Sequence, residues 1–264
     1  MLPDAARLLS DLDAGTAATA RLLRSMTPAE WTAPSPLAGW SVRDVAVHLL
    51  DVDEKVSGAL VRGDLGGPEI PLPEQGDVSP AELTDRYERW AVRIRRALID
   101  LEPVALETIV QVRGWGRMPC GVALHLRGFE QFNHTNDILL ATDRPAKHLP
   151  ELVGPALRFL RLGAPWLVAA ERANAATARF AFSFDEEEER WLLTIAGGRV
   201  AVAPWTGEDV VAAVQGEAAP FLLHLVLGKG AWRPILRSRA VRIRGDLRAC
   251  VLLRRCVPLL APAE

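Results

Sequence analysis

The stretch "GFEQFNHTNDI", residues 128–138, decides how this chain is read. It lies inside a proline-free run from about Val122 to Ala141 that has the length and composition of a helix. Each helical residue turns about 100°, so Glu130 and His134 stand about 40° apart, and Asp137 falls about 20° to the other side of Glu130. Ala123, Leu126, Ile138 and Ala141 lie on or beside the same face. An acid, an imidazole and a second acid therefore point toward a core built from apolar side chains.

Working outward, the segment upstream supplies helices for that core. Residues 3–25 carry Leu8, Leu9, Leu12, Leu22 and Leu23 and read as a first helix. "TAPSPLAGW", 32–40, holds two prolines and a glycine and is expected to be a loop. "SVRD", 41–44, is a capping box: the Ser41 hydroxyl covers an early backbone N–H while Asp44 reaches back. The helix it opens has an apolar stripe of Val42, Val45, Leu49, Val52, Val56 and Leu60, and His48 lies on that stripe. Residues 63–77, rich in Gly and Pro, form a long loop, after which Ser79 and Pro80 start a third helix that runs to about Leu101. An irregular segment with Trp115 and Pro119 leads into the helix of the opening stretch. Four such helices joined by loops predict an antiparallel bundle over residues 1–145.

Past residue 145 the grammar changes. A helical stretch over 150 to about 172 is marked by Pro155 and Pro165. "ARFAFSF", "WLLTIA", "RVAVAP", "DVVAAVQG" and "AVRIRGD" read as strands, "EAAPFLLHLVLG" and "RACVLLRR" as helices, and the acidic residues 185–189 as a solvated turn. The expectation is an α+β protein of two domains: a helical bundle over 1–145 and a smaller α/β domain over 146–264 with a leading helical linker.

Composition narrows the function. The chain has 264 residues, 49% hydrophobic and 24% charged, with a net charge of −2. That balance offers no basic footprint for nucleic acid. No apolar run approaches the roughly 20 residues of a membrane helix, and the N-terminus lacks the layout of a secretory signal, so the cytoplasm is expected. Cys120, Cys250 and Cys256 are odd in number and form no CxxC pair. They argue against a disulfide framework or a thiolate zinc site, so a metal would use nitrogen and oxygen ligands.

Spacing alone leaves two readings open. His48, Glu130 and His134 are either packed core and hydrogen-bonding residues or three ligands of a divalent metal with an open coordination position. Asp137 is either a support for His134 or a charge near a helix end. Trp31 and Trp40 are packing anchors for the turn into the second helix, or part of a ligand rim. His125 and His148 have no partner at useful spacing, and His224 reads as a packed helix residue.

"WTAPSPLAGWSVRDVAVHLLD" (31–51) followed about eighty residues later by "EQFNHTNDILLATDRP" (130–145) resembles the mycothiol-dependent maleylpyruvate isomerase family. Trp31, Gly39, Trp40, Val42, Arg43, Asp44, His48, Glu130, His134, Asp137 and Ile138 stand at the positions that carry the likeness. The resemblance implies a DinB-like bundle followed by a domain distantly similar to sterol-carrier folds. It also implies a metal site, usually zinc, with His48, Glu130 and His134 as ligands, Asp137 in support, and mycothiol as the thiol. Two departures from the family pattern stand beside the ligands. The loop "PLAGW" replaces a C-P-G-W motif, and Thr135 and Asn136 replace Gly and Gln, at positions expected on the pocket rim.

Two neutral imidazoles and one carboxylate leave a zinc site with net charge near +1, suited to one anionic ligand such as a thiolate. Implied by the resemblance, that thiolate would add to a conjugated cis double bond, permit rotation and leave, or the adduct would be released as an S-transfer product. The partners are then a small electrophile and a low-molecular-weight thiol, in a monomer or small homo-oligomer. A diacid substrate would call for cationic anchors among Arg233, Arg237, Arg239, Arg242, Arg244 and Arg248, with Arg237, Arg239 and Arg242 foremost. The competing functions are a non-catalytic metal-binding bundle and a hydrophobic-ligand carrier acting through the C-terminal domain.

Overall fold

Where helices start follows from side chains that satisfy the first backbone N–H groups. In the computed structural model, Ser41 and Asp44 make the expected capping box: Ser41 N–H donates to Asp44 Oδ2 at 2.8 Å, and Asp44 N–H to Ser41 Oγ at 3.3 Å. The residues described are 5–62, 78–112, 116–167, 177–185, 190–229 and 232–245. The expectations for the loop 63–77, Trp115, the helical stretch beyond 167, residues 186–189 of the acidic turn, the closing helix 248–255 with Arg248 and Cys250, and Cys256 fall outside them.

The helices are α1 (Ala5–Arg24), α2 (Pro28–Thr32), α3 (Val42–Arg62), α4 (Pro80–Ile99), α5 (Cys120–Ala141) and α6 (Val153–Leu167). Ser79 caps α4 by accepting from Glu82 N–H, with Pro80 in the first turn. The chain divides into two units, residues 1–112 with 118–156 and residues 113–117 with 157–264.

In the first unit α1 and α3 each pack on α4 and α5. Their buried faces make two apolar clusters. One gathers Leu22, Leu23, Trp31, Val42, Val45, Leu49, Leu83 and Ile138. The other gathers Leu8, Leu12, Ile94, Leu98, Cys120 and Leu124. Each fully buried aliphatic side chain stabilises the unit by about 1.5–3 kcal/mol over its exposed state.

The second unit holds a five-stranded sheet in the order β5-β4-β3-β6-β7. Its strands are β3 (Ala178–Phe184), β4 (Trp191–Ala196), β5 (Arg199–Pro204), β6 (Ala212–Gly216) and β7 (Val241–Gly245). β3 pairs with β6 in parallel, and every other pairing is antiparallel. Phe182 stacks on Trp191 with ring centroids 4.0 Å apart, and Phe221 meets Phe182 edge-on at 5.8 Å. The chain is thus a helical region followed by a sheet domain, a mixed α+β architecture.

Three local expectations change. The irregular segment before α5 contains a 3-10 turn over Pro103–Glu107 and a two-stranded sheet of β1 (Ile109–Val112) and β2 (Gly116–Pro119). The helix expected over 217–228 is one α-turn, Ala218–Pro220, followed by π-helical Phe221–Val226, with Leu227 N–H donating five residues back to Leu222 O. A helix at Trp232–Ser238 stands in the arginine-rich span.

Candidate metal centre

His48 comes from α3, and Glu130 and His134 from consecutive turns of α5. Their approach is fixed by the turn before α3. Trp40 N–H donates to Leu37 O at 3.0 Å, Ser35 N–H to Trp40 O at 2.8 Å, and Val42 N–H to Ala33 O at 2.9 Å. Gly39 has φ +79°, a left-handed conformation suited to glycine. Nearly two helical turns beyond the Ser41 cap, His48 faces α5.

One donor atom from each of His48, Glu130 and His134 lies within 4.8 Å of the other two. The imidazoles of His48 and His134 meet edge to face, with centroids 4.7 Å apart and planes at 78°. Glu130 Oε2 is 3.1 Å from His134 Nε2. Two ligands of one tetrahedral zinc, each about 2.0–2.1 Å from the metal, sit at a similar separation. On the other side of the ring, Asp137 Oδ2 is 3.2 Å from His134 Nδ1. His134 and Glu130 side chains are only 10% and 13% exposed, and Asp137 is buried.

This donor set fits a divalent cation. Glu130 faces Nε2 and Asp137 faces Nδ1 of the His134 ring, an arrangement of the kind that would orient a metal-bound imidazole. Burial disfavours a charged His134 more than any other single influence, yet hydrogen bonds and charge from Asp137 and Glu130 together raise its pKa above the ordinary imidazole value. Two carboxylates on a buried imidazole create a site of negative potential that a cation would relieve.

Trp31 is buried in the apolar core, whereas Trp40 is 37% exposed with its ring 5.5 Å from that of His48. Trp40 is therefore the aromatic residue that meets both solvent and a candidate ligand. Thr135 and Asn136, expected on the rim, are both buried. Thr135 Oγ1 donates to Gln131 O at 2.6 Å, and Asn136 Nδ2 to Lys147 O. Both side chains donate to backbone carbonyls and are turned away from solvent.

Arg237, Arg239 and Arg242 lie in the second unit, at the end of the 232–238 helix, in the following turn and on β7, and all three are exposed. His125 is buried 3.9 Å from Asp11, His148 stands 6.5 Å from the ring of Phe132, and His224 lies in the π-helical segment. Burial pushes the Cys120 thiol up to about 11, so this cysteine is no nucleophile near neutral pH.

Sequence reasoning passed over a second polar group in the first unit. Arg127 binds Asp53 with both arms, Nε to Oδ1 at 2.5 Å and Nη2 to Oδ2 at 2.7 Å. It also reaches Thr16 Oγ1 at 3.2 Å and the Tyr87 hydroxyl at 3.4 Å. The Gln131 amide oxygen accepts a hydrogen bond from the Tyr87 hydroxyl. The one signal in the sequence was Arg127 itself, which shares the inward face of His134.

Known proteins resemble this chain in sequence pattern and in fold. Residues 12–139 match the model of the mycothiol maleylpyruvate isomerase N-terminal domain. Among solved structures, the chain is similar to the crystal structure of the mycothiol-dependent maleylpyruvate isomerase and to that of a histidine-to-alanine mutant of it. Each match has 19% identity and a TM-score of 0.54, covering 93% of this chain and 95% of the other. At that identity the likeness is one of fold. No curated protein sequence matches the chain. No described helix is long and apolar enough to cross a membrane. The helical region, matched from residue 12 to residue 139 and carrying the His48, Glu130 and His134 cluster, is thus similar to the mycothiol maleylpyruvate isomerase N-terminal domain family.

Proposed function

We propose that the protein is a metal- and thiol-dependent enzyme of the maleylpyruvate isomerase type, acting on a small electrophile by cis–trans isomerisation or S-transfer. The observation that carries this reading is the convergence of one donor atom each from His48, Glu130 and His134 within 4.8 Å. These three would hold a divalent ion, zinc being the ion suited to two imidazoles and one carboxylate. Bound there, such an ion supplies Lewis acidity that turns a thiol of pKa about 8.5 into a thiolate at neutral pH.

The chain's own residues do the rest. Asp137 keeps the His134 proton on Nδ1 and so leaves Nε2 as a lone-pair donor. His134 and Glu130 are largely shielded from water, which strengthens any charge interaction made between them. Trp40 offers an exposed indole beside His48 on which an apolar part of a ligand can rest. Mycothiol is the proposed thiol, by analogy with the protein whose fold is matched. Arg237, Arg239 and Arg242 are the proposed anchors for an anionic substrate or thiol, and the reading asks that their replacement by Ala raise KM for a diacid more than it lowers kcat.

The test begins with protein purified without added metal, as wild type and His48→Ala, in which bound metal is counted. Zinc and then mycothiol are titrated, and maleylpyruvate isomerisation is assayed. Stoichiometric metal in wild type alone, followed by thiol binding and turnover, is the expected result. Wild-type protein that cannot be loaded with zinc would sink the whole reading. Metal uptake without thiol binding would leave a non-catalytic metal-binding protein, and thiol binding without isomerisation would leave S-transfer.

A further inference from the structure

Along α1 and α5 the inward residues pass from apolar to polar and back to apolar, and along α3 apolar residues are followed by a polar one. On α1, Leu8 and Leu12 give way to Thr16 and Thr19 and then to Leu22 and Leu23. On α5, Cys120 and Leu124 give way to Arg127 and Gln131 and then to Ile138 and Leu139. On α3, Leu49 and Leu50 are followed by Asp53. A polar layer thus separates the two apolar clusters. Its centre is a guanidinium that touches α1 through Thr16, α3 through Asp53 and α4 through Tyr87. Asp53 and Arg127 are 1% and 4% exposed, so the pair is out of water on both sides.

The position of this pair relative to the metal centre matters. Asp53 follows His48 by five residues on α3, a rise of about 7.5 Å. Arg127 precedes Glu130 by three residues and His134 by seven on α5, rises of about 4.5 and 10.5 Å. Seven residues are nearly two full turns, so Arg127 and His134 share a face. Moving from the ligands to the ion pair runs forward along α3 and backward along α5. The two helices are therefore cross-linked at two levels, once where they would share a metal and once where they share the ion pair.

We propose that Asp53 and Arg127 are positioning residues for the metal centre: their bidentate contact fixes the axial register and rotation of α3 against α5, so that His48 meets Glu130 and His134 at ligand spacing. The proposal rests on the metal reading given above. A slip of one residue moves a helix by about 1.5 Å along its axis, whereas a metal site tolerates about 0.2 Å in its bonds. An apolar layer could fill the same volume without choosing one register. A planar guanidinium in a two-point contact with a carboxylate specifies both distance and orientation.

Stability and positioning separate in a variant that keeps the volume and loses the direction. Replacing a buried ion pair by apolar residues of similar size is often neutral or stabilising, so Asp53→Leu combined with Arg127→Met is expected to fold. A second variant, Arg127→Lys, retains the charge and loses the fork. The readouts are the thermal midpoint of the metal-stripped protein, zinc affinity by competition with a chelator, and the visible spectrum of the cobalt-substituted protein. The expected result is a midpoint within a few degrees of wild type together with at least a tenfold loss of zinc affinity and an altered cobalt spectrum, in both variants. Folded variants with wild-type zinc affinity and cobalt spectrum overturn the proposal while leaving the metal site standing. Failure of both variants to fold also overturns it, because the pair is then needed for the fold as a whole. Wild-type protein that takes up neither zinc nor cobalt removes the metal reading and this proposal with it.

Discussion

His134 Nδ1 stands 3.2 Å from Asp137 Oδ2, while Glu130 meets the other ring nitrogen, Nε2. This contact predicts that Asp137→Ala lowers zinc affinity by about 10–100-fold, the usual cost of removing a carboxylate that orients a metal-bound imidazole. The pH dependence should move as well. His134 has a raised pKa in the metal-free protein, so its proton must leave before metal enters, and affinity falls as the pH drops through that value. Without Asp137 the imidazole is less basic, and the fall begins at lower pH. Chelator competition at a series of pH values checks both; unchanged affinity and an unshifted profile would count against the role.

Metal should also stabilise the fold, because the ligands come from two helices that are separate elements in the unfolded chain. At free zinc a hundred times Kd, linkage gives about 2.7 kcal/mol of added stability. For a unit of this size that is a rise in Tm of roughly 5–10 °C. Scanning calorimetry of stripped protein with and without zinc measures it. His48→Ala should abolish the rise while leaving the metal-free midpoint near its wild-type value, since His48 is half-buried and outside the apolar clusters. A zinc shift that survives in His48→Ala would place the binding elsewhere.

How much of this was legible beforehand depends on whether the controlling interaction is local. Ser41 with Asp44 and Ser79 with Pro80 announce helix starts within four residues, and the structure has helices there. The shared face of Glu130, His134 and Asp137 follows from 100° per residue. Thr27 and Glu30 form the same kind of capping box, yet α2 is five residues long and has no periodic stripe to draw attention to it. The Asp53–Arg127 pair joins positions 74 apart, and no local pattern reports which helices meet at which level. For the same reason the parallel pairing of β3 with β6 was hidden, since it depends on β4 and β5 forming a hairpin outside it.

Acid should weaken the first unit through its helix starts. Hydrogen bonds from the Ser41 side chain and then its backbone N–H hold the Asp44 carboxyl below its ordinary value, and the Thr27 backbone N–H does the same for Glu30. A carboxyl depressed in the folded state stabilises above its unfolded pKa, and that contribution is lost as pH falls through the folded value. Asp44→Asn should therefore cost about 0.5–1 kcal/mol at pH 7 and less at pH 3, below the ordinary carboxylate range, where the unfolded chain takes up the proton that the folded cap resists. Urea denaturation at the two pH values tests the sign. An equal loss at both would mean that the charge on Asp44 contributes nothing to the cap.

Gly216 ends β6 opposite Val241 with φ +119°, and a Cβ placed there would lie 2.1 Å from Ala240 O. That oxygen also accepts the Glu217 N–H at 2.8 Å, so moving it away breaks the contact that closes the β6–β7 edge. Gly207 is the internal control. Its φ is +111°, but nothing lies within 4 Å of the Cβ position. Gly207→Ala should carry backbone strain alone, about 1–3 kcal/mol. Gly216→Ala adds a collision with backbone that cannot rotate aside, and should cost at least about 2 kcal/mol more. Denaturation followed by tryptophan fluorescence reads both, because Trp191 is stacked on Phe182 in the core of the same sheet. Equal losses at the two glycines would show that the Ala240 carbonyl yields freely and that conformation, not contact, is what position 216 requires.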